Sequence, residues 1–137
     1  MNNRIGTLLL AAVFAGVAPV SGALAQETTQ TQAFANQIEG FEVAEQGGTI
    51  YVRMTLREPL PVPPPSFSVA SPARIAFDFP GTANALGRSA QDVGQGDLRS
   101  ANIVQVGDRT RVVLNLVKMN PYETRVQGRE VIVAISP

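Results

Sequence analysis

Arg74 and Asp78 interleave with the apolar residues Ile75, Phe77 and Phe79. Arg111 and Asn115 interleave in the same way with Val112, Leu114 and Leu116, while Arg99 and Arg109 stand just ahead of the segments they lead into. A guanidinium offers a planar fork of N–H donors suited to two-point capture of a carboxylate or of sugar oxygens. These six side chains are therefore candidates to hold an anionic, hydroxyl-rich ligand by hydrogen bonding. The plainer account of the same spacing is a solvated outer face, with charges paired across strands for ~0.2–1 kcal/mol each. With no Trp and only Tyr51 and Tyr122 as tyrosines, the chain offers no sugar-stacking platform, so any glycan contact rests on hydrogen bonds.

Catalysis has little to work with. The chain has no His and no Cys, which removes the Ser-His-Asp triad, the thiolate nucleophile, zinc–thiolate and imidazole sites, and disulfides. Two carboxylates suffice for glycoside hydrolysis, but Glu39, Glu42, Glu45, Asp78, Asp92, Asp97, Asp108, Glu123 and Glu130 fall in no motif that would hold two of them across a cleft. There is no Gly-rich phosphate loop, no Gly-x-Ser-x-Gly elbow and no calcium-loop Asp series. The expectation is a non-enzyme with no cofactor and no metal. Eleven basic against eleven acidic residues also argues against nucleic acid as a partner, because phosphate binding needs a basic excess or stripe.

The elements that must position the six side chains are strands. Ile50, Val52, Met54 and Leu56 alternate with Tyr51, Arg53, Thr55 and Arg57, the period of a half-buried strand. Residues 74–79, 111–116 and 131–135 alternate likewise. Weaker strands are expected over Gly40–Glu45, Phe67–Ala70, Ser100–Val106 and Tyr122–Val126, with turns at Gln46-Gly47-Gly48, Ser71-Pro72, Gly107-Asp108 and Gln127-Gly128. The Pro-rich run Glu58–Pro65 cannot supply ladder donors and reads as an extended connection. Residues Pro80–Asp97 read as a long crossover, with one helical turn over Thr82–Leu86.

The strand pattern repeats. A shift of 60 residues lays Ile38, Val43, Gly47, Val52, Met54, Leu56 and Pro61 on Leu98, Ile103, Gly107, Val112, Leu114, Leu116 and Pro121. After a short deletion, Ile75–Phe79 falls on Val131–Ile135. The fold class expected is all-β: a β-sandwich of two similar four-stranded sheets related by a pseudo-two-fold internal repeat, each burying the other's apolar face.

Ahead of the strands, Met1–Arg4 is polar with one positive charge, Ile5–Val20 is largely apolar, and Ala23 and Ala25 are small residues spaced for signal-peptidase cleavage between Ala25 and Gln26. That order is a secretory signal peptide over residues 1–25. Residues 26–37 read as a polar flexible lead-in and residues 38–137 as the domain, working in the periplasm.

The run Phe67-Ser68-Val69-Ala70-Ser71-Pro72-Ala73-Arg74-Ile75-Ala76-Phe77-Asp78-Phe79-Pro80, followed by Thr82-Ala83-Asn84-Ala85-Leu86-Gly87, Gly96-Asp97-Leu98-Arg99-Ser100 and Arg109-Thr110-Arg111-Val112-Val113-Leu114-Asn115-Leu116, resembles the first AMIN domain of type IV pilus secretins. The likeness covers about residues 38–135. It implies a sandwich of two similar sheets and a noncatalytic, peptidoglycan-binding module that places a pilus secretin in the envelope. Arg74, Asp78, Arg99, Arg109, Arg111 and Asn115 match the family's strand motifs and become the expected peptidoglycan-binding residues. Type IV pilus assembly proteins are the further partners implied, docking by strand addition if Ser100–Val106 forms an open edge. The outer membrane would be reached only through a C-terminal secretin region, which does not follow Pro137. The same module also precedes N-acetylmuramoyl-L-alanine amidase domains, so a targeting role for such an enzyme stands as an alternative.

Overall fold

The computed structural model describes residues 34–137. The expected signal segment and most of the lead-in lie outside the described residues. Ten strands follow in order: β1 (Asn36–Gln46), β2 (Thr49–Leu56), β3 (Ser66–Ala70), β4 (Ala73–Pro80), β5 (Thr82–Asn84), β6 (Ala90–Gln95), β7 (Leu98–Val106), β8 (Arg109–Leu116), β9 (Tyr122–Gln127) and β10 (Glu130–Ile135). They form two five-stranded sheets: a front sheet ordered β3-β4-β8-β7-β6 and a back sheet ordered β9-β10-β2-β1-β5. The inward residues of both sheets build one core, with Ile38, Val52, Met54, Leu56, Ile75, Phe77, Leu98, Ile103, Val112, Leu114, Val131 and Val133 wholly buried. The all-β sandwich of two similar sheets is as expected.

The internal repeat extends to the register. β10 sets Val131 opposite Met54 and Val133 opposite Val52 on β2, while β4 sets Ile75 opposite Leu114 and Phe77 opposite Val112 on β8. The β1–β2 ladder skips a residue between the pairs Ile38–Leu56 and Gly40–Thr55, and the β7–β8 ladder skips at the corresponding pairs Leu98–Leu116 and Ser100–Asn115. Each skip is a β-bulge, which resets the phase of the strand and lets Ile38 and Phe41, or Leu98 and Ala101, bury on one face despite their odd spacing. Both β1–β2 and β7–β8 close through two-residue turns, the first with Gly47 and Gly48 at φ 58° and 82°, the second with Gly107 at 62°. Hairpin turns matching the strand twist require such positive φ, which glycine adopts without strain.

Three features differ from the sequence reading. First, each half of the repeat does not form a sheet of its own. The first half places β1–β2 in the back sheet and β3–β4 in the front, and the second half places β7–β8 in the front and β9–β10 in the back. Second, each sheet gains a fifth strand from the stretch read as a crossover with a helical turn. Thr82–Asn84 is β5, parallel to Asn36–Ile38, and Ala90–Gln95 is β6, paired with β7. The Asn84 amide fixes the link between them by donating to the carbonyls of Arg88 at 2.8 Å and Ile103 at 3.0 Å. Third, β1 starts at Asn36, inside the expected lead-in, because the Asn36 side chain grips the backbone at both ends of its contact with Glu58. Its Oδ1 accepts from the Glu58 N–H at 2.8 Å and its Nδ2 donates to the Glu58 carbonyl at 3.0 Å.

Candidate functional site

The register of β4, β8 and β7 decides which outward side chains meet on the front sheet. Arg111 stands opposite Asp78 on one side and Val104 on the other; Asn115 stands opposite Arg74 and Ser100; and Arg109 stands opposite Pro80 and Val106. Between the Arg111 and Asn115 rows runs a fourth, Phe67–Ala76–Val113–Asn102. Five of the six expected residues thus share one outer face. Arg99 does not join their pairing rows: it occupies the β7 bulge, between the Leu98 and Ser100 pairs.

The charges are partly spent on one another. Arg109 Nη1 donates to Asp78 Oδ2 at 2.8 Å, and Arg111 Nε lies 3.8 Å from Asp78 Oδ1. Asp78 is the sheltered member, with its side chain 17% exposed against 47% for Arg111. Arg111 also stacks over the Phe67 ring, 5.3 Å from its centroid, a favourable placement for a guanidinium. Arg74 has no carboxylate partner among the described residues. Asn115 Nδ2 donates to Ser100 Oγ at 3.0 Å and to Asn102 Oδ1 at 2.9 Å, forming a polar ladder across β8 and β7. Arg111 and Val113 are shared by two shallow hollows, one of about 170 Å³ lined also by Phe67, Val69, Arg74 and Ala76, the other of about 370 Å³ lined also by Val104, Val106 and Arg109.

Sequence reasoning missed the apolar and amide part of this face. Phe67, Val69, Val104 and Val106 are large hydrophobic residues left exposed, and Ser100 and Asn102 complete the ladder. The available signal was Val104 and Val106, which stand on the face opposite Ile103 in a strand whose outward positions should be polar.

The AMIN domain family model matches residues 41–135. The chain belongs to the AMIN domain family. It is 32% identical over 134 residues to the fimbrial assembly protein PilQ of Pseudomonas aeruginosa, a match covering 97% of this chain and 16% of that protein. It is 36% identical over 75 residues to the type IV pilus biogenesis and competence proteins PilQ of Neisseria gonorrhoeae and Neisseria meningitidis, covering 55% of this chain and 10% of each relative. The chain thus spans only a small part of the length of these curated relatives.

The AMIN domain has a larger hollow on the opposite face, about 560 Å³, lined by Tyr51, Arg53, Arg125 and Ile132 among others. There Arg53 bonds Glu42 and lies 4.0 Å from Glu130. The hydrogen bond that Arg53 donates to Glu42, then the charges of Glu42 and Glu130, raise the Arg53 pKa above its ordinary value, with burial acting the other way. A guanidinium so well partnered has less to offer a ligand than Arg74 or Arg111, which is why the front face is the better candidate despite the smaller hollows. What the front face can do chemically is bind: guanidinium forks for carboxylates, amide and hydroxyl groups for polar ligand atoms, and an apolar floor for methyl groups. Among the described residues, no three acidic side chains gather to hold a metal ion.

Proposed function

We propose that this AMIN domain is a noncatalytic peptidoglycan-binding module that anchors a type IV pilus secretin in the periplasm, with the front face as its contact surface. The observation that carries the reading is the convergence of Arg74 and Arg111 beside the Asn115–Ser100–Asn102 ladder, with Phe67 and Val113 between the rows. Peptidoglycan presents the matching set: stem-peptide carboxylates for the arginines, glycan hydroxyls and amides for the ladder, and acetyl and lactyl methyl groups for the apolar floor. Membership of the AMIN family supports the class of ligand, and relatives named for fimbrial assembly and pilus biogenesis favour a pilus setting over the targeting arm of an amidase. Export by residues 1–25 delivers the module to the compartment where both wall and pilus machine are found, and outer-membrane association belongs to other parts of a longer secretin chain.

Co-sedimentation of residues 26–137 with purified sacculi tests the proposal. Saturable pelleting that weakens with salt, and that Arg74→Ala and Arg111→Ala both reduce, is the expected result. A folded sample that stays in the supernatant overturns the wall-binding reading. Pelleting that neither substitution changes overturns the front-face assignment.

A further inference from the structure

Four strands lie at sheet edges, β3 and β6 in front, β9 and β5 behind. Proteins protect such edges with charge, proline, bulges or brevity, because unpaired N–H and C=O groups recruit other strands. Three of the four are protected here. β5 is three residues long; β6 carries Asp92 and an irregular register between Asp92 and Gln95; β9 carries Glu123 and Arg125. Only β3, Ser66-Phe67-Ser68-Val69-Ala70, has no charge, no proline, no glycine and no break in register, and all five of its residues are exposed. The edge expected from the sequence, Ser100–Val106, is instead an interior strand between β8 and β6.

The phase of the β3 ladder follows from one bond. The Asp78 N–H donates to the Pro65 carbonyl at 2.9 Å, so Pro65–Asp78 is a hydrogen-bonded pair. Antiparallel ladders alternate, which makes Phe67–Ala76 and Val69–Arg74 the next bonded pairs in the register. The backbone groups of Ser66, Ser68 and Ala70 therefore face away from β4. A hydrogen bond of 3.1 Å between Ser66 Oγ and Tyr122 Oη on β9 fixes this edge to the back sheet, so the strand is in place before anything docks on it.

We propose that β3 receives an extended segment of a partner protein as a sixth strand of the front sheet, a segment that alternates apolar and acidic side chains. Backbone groups of Ser66, Ser68 and Ala70 would pair with it, its carboxylates would lie on the outer face with Phe67 and Val69 and meet Arg111 and Arg74, and its apolar side chains would turn to the other face, beside Ser66, Ser68 and Ala70. Charge complementarity chooses the occupant. Next to β3 stand a guanidinium over the Phe67 ring and Arg74, which is without a carboxylate partner among the described residues, while the nearest acid, Asp78, is already bonded to Arg109. A second copy of this chain does not fit as well, since its own β3 would bring no carboxylate. The prolines at 63–65 and Pro72 bound the docking edge to five residues, enough for affinity from main-chain bonds and selectivity from alternate side chains.

The test uses an acetylated eight-residue peptide of alternating Val and Glu, with a Val–Lys peptide as control, followed by amide hydrogen exchange. The expected result is protection of the Ser68 and Ala70 N–H groups, and binding of the Glu peptide about tenfold or more tighter than the Lys peptide, a difference of ~1.4 kcal/mol. Ser68→Pro removes an outward N–H without touching a β3–β4 bond, so it should abolish peptide binding while leaving the melting curve and sacculus pelleting unchanged. No protection at β3, equal binding of both peptides, or a Ser68→Pro variant that is folded and binds normally would each overturn the proposal. Dimerisation of the peptide-free chain that Ser68→Pro abolishes would overturn it too, by showing that the edge serves a second copy.

Discussion

Arg111→Ala is the substitution that separates a binding face from a solvated one. In the free protein the guanidinium touches an exposed ring, Phe67, and lies 3.8 Å from Asp78, which keeps its shorter bond to Arg109. An exposed cation–π contact is worth ~0.5–1 kcal/mol and a surface ion pair ~0–1 kcal/mol. The variant should therefore lose no more than about 1–2 kcal/mol, or roughly 4–16 °C in Tm for a domain of this size. A ligand carboxylate held by the same guanidinium is a charge-assisted bond worth ~1.5–3 kcal/mol, so affinity for sacculi should fall by a factor of about 10 to 150. Binding isotherms from co-sedimentation, measured well below the variant's melting range, read that ratio. Arg57→Ala is the control, because it removes the same charge just after β2, on the other sheet. If Arg111→Ala binds like the parent, or Arg57→Ala loses as much, the front face is not a site and the attraction is no more than net charge.

Three further expectations concern the scaffold. Phe77 is fully buried and meets Tyr122 edge-on, with ring centroids 6.1 Å apart, so Phe77→Ala should cost ~3–5 kcal/mol; an unchanged urea midpoint would refute its place in the core. Asn36→Ala leaves the N–H groups of Gln37 and Glu58 without the oxygen they share at 2.8 Å each, which should cost ~1–3 kcal/mol and speed hydrogen exchange at both amides. Gly47→Ala should lose ~1–2 kcal/mol from positive φ alone, since a Cβ there meets open space, whereas Gly96→Ala should lose more because its Cβ would sit 2.9 Å from Ile50 Cδ1; equal Tm losses would mean Ile50 yields freely.

Period-two alternation made the strand faces legible in the sequence, and with them the outward placement of Arg74, Asp78, Arg111 and Asn115. It also exposed the repeat, because Val52, Met54 and Leu56 bury in the same order as Val112, Leu114 and Leu116. Alternation marks faces but not partners, so it could not reveal that the two halves exchange hairpins. β6 stayed hidden because Ala-Gln-Asp-Val-Gly-Gln has little β-branched or apolar surface and owes its conformation to pairing with β7. The bulges did leave a trace: Ile38 and Phe41, like Leu98 and Ala101, are both buried although three residues apart, a spacing that no regular strand can turn to one side. The apolar share of the site left only a partial trace: Val104 and Val106 alternate against buried Ile103, whereas Phe67 and Val69 are assigned to a core by default and only the register turns them outward.

The back-sheet ladder also settles how the domain would meet a pulling force. β1 and β10 flank β2 and are both antiparallel to it. Ile38, near the start of β1, lies beside Leu56, and Ile135, at the end of β10, lies beside Ile50, so the chain enters and leaves at opposite ends of the same central strand. Tension applied between Asn36 and Ile135 runs along the strands, and separating them means shearing many hydrogen bonds at once rather than unzipping them singly. In a unit proposed to hold a pilus secretin to the wall, that geometry makes the tether stiff along the line of pull. It would still yield readily to a force that peels β9 or β3 from its edge.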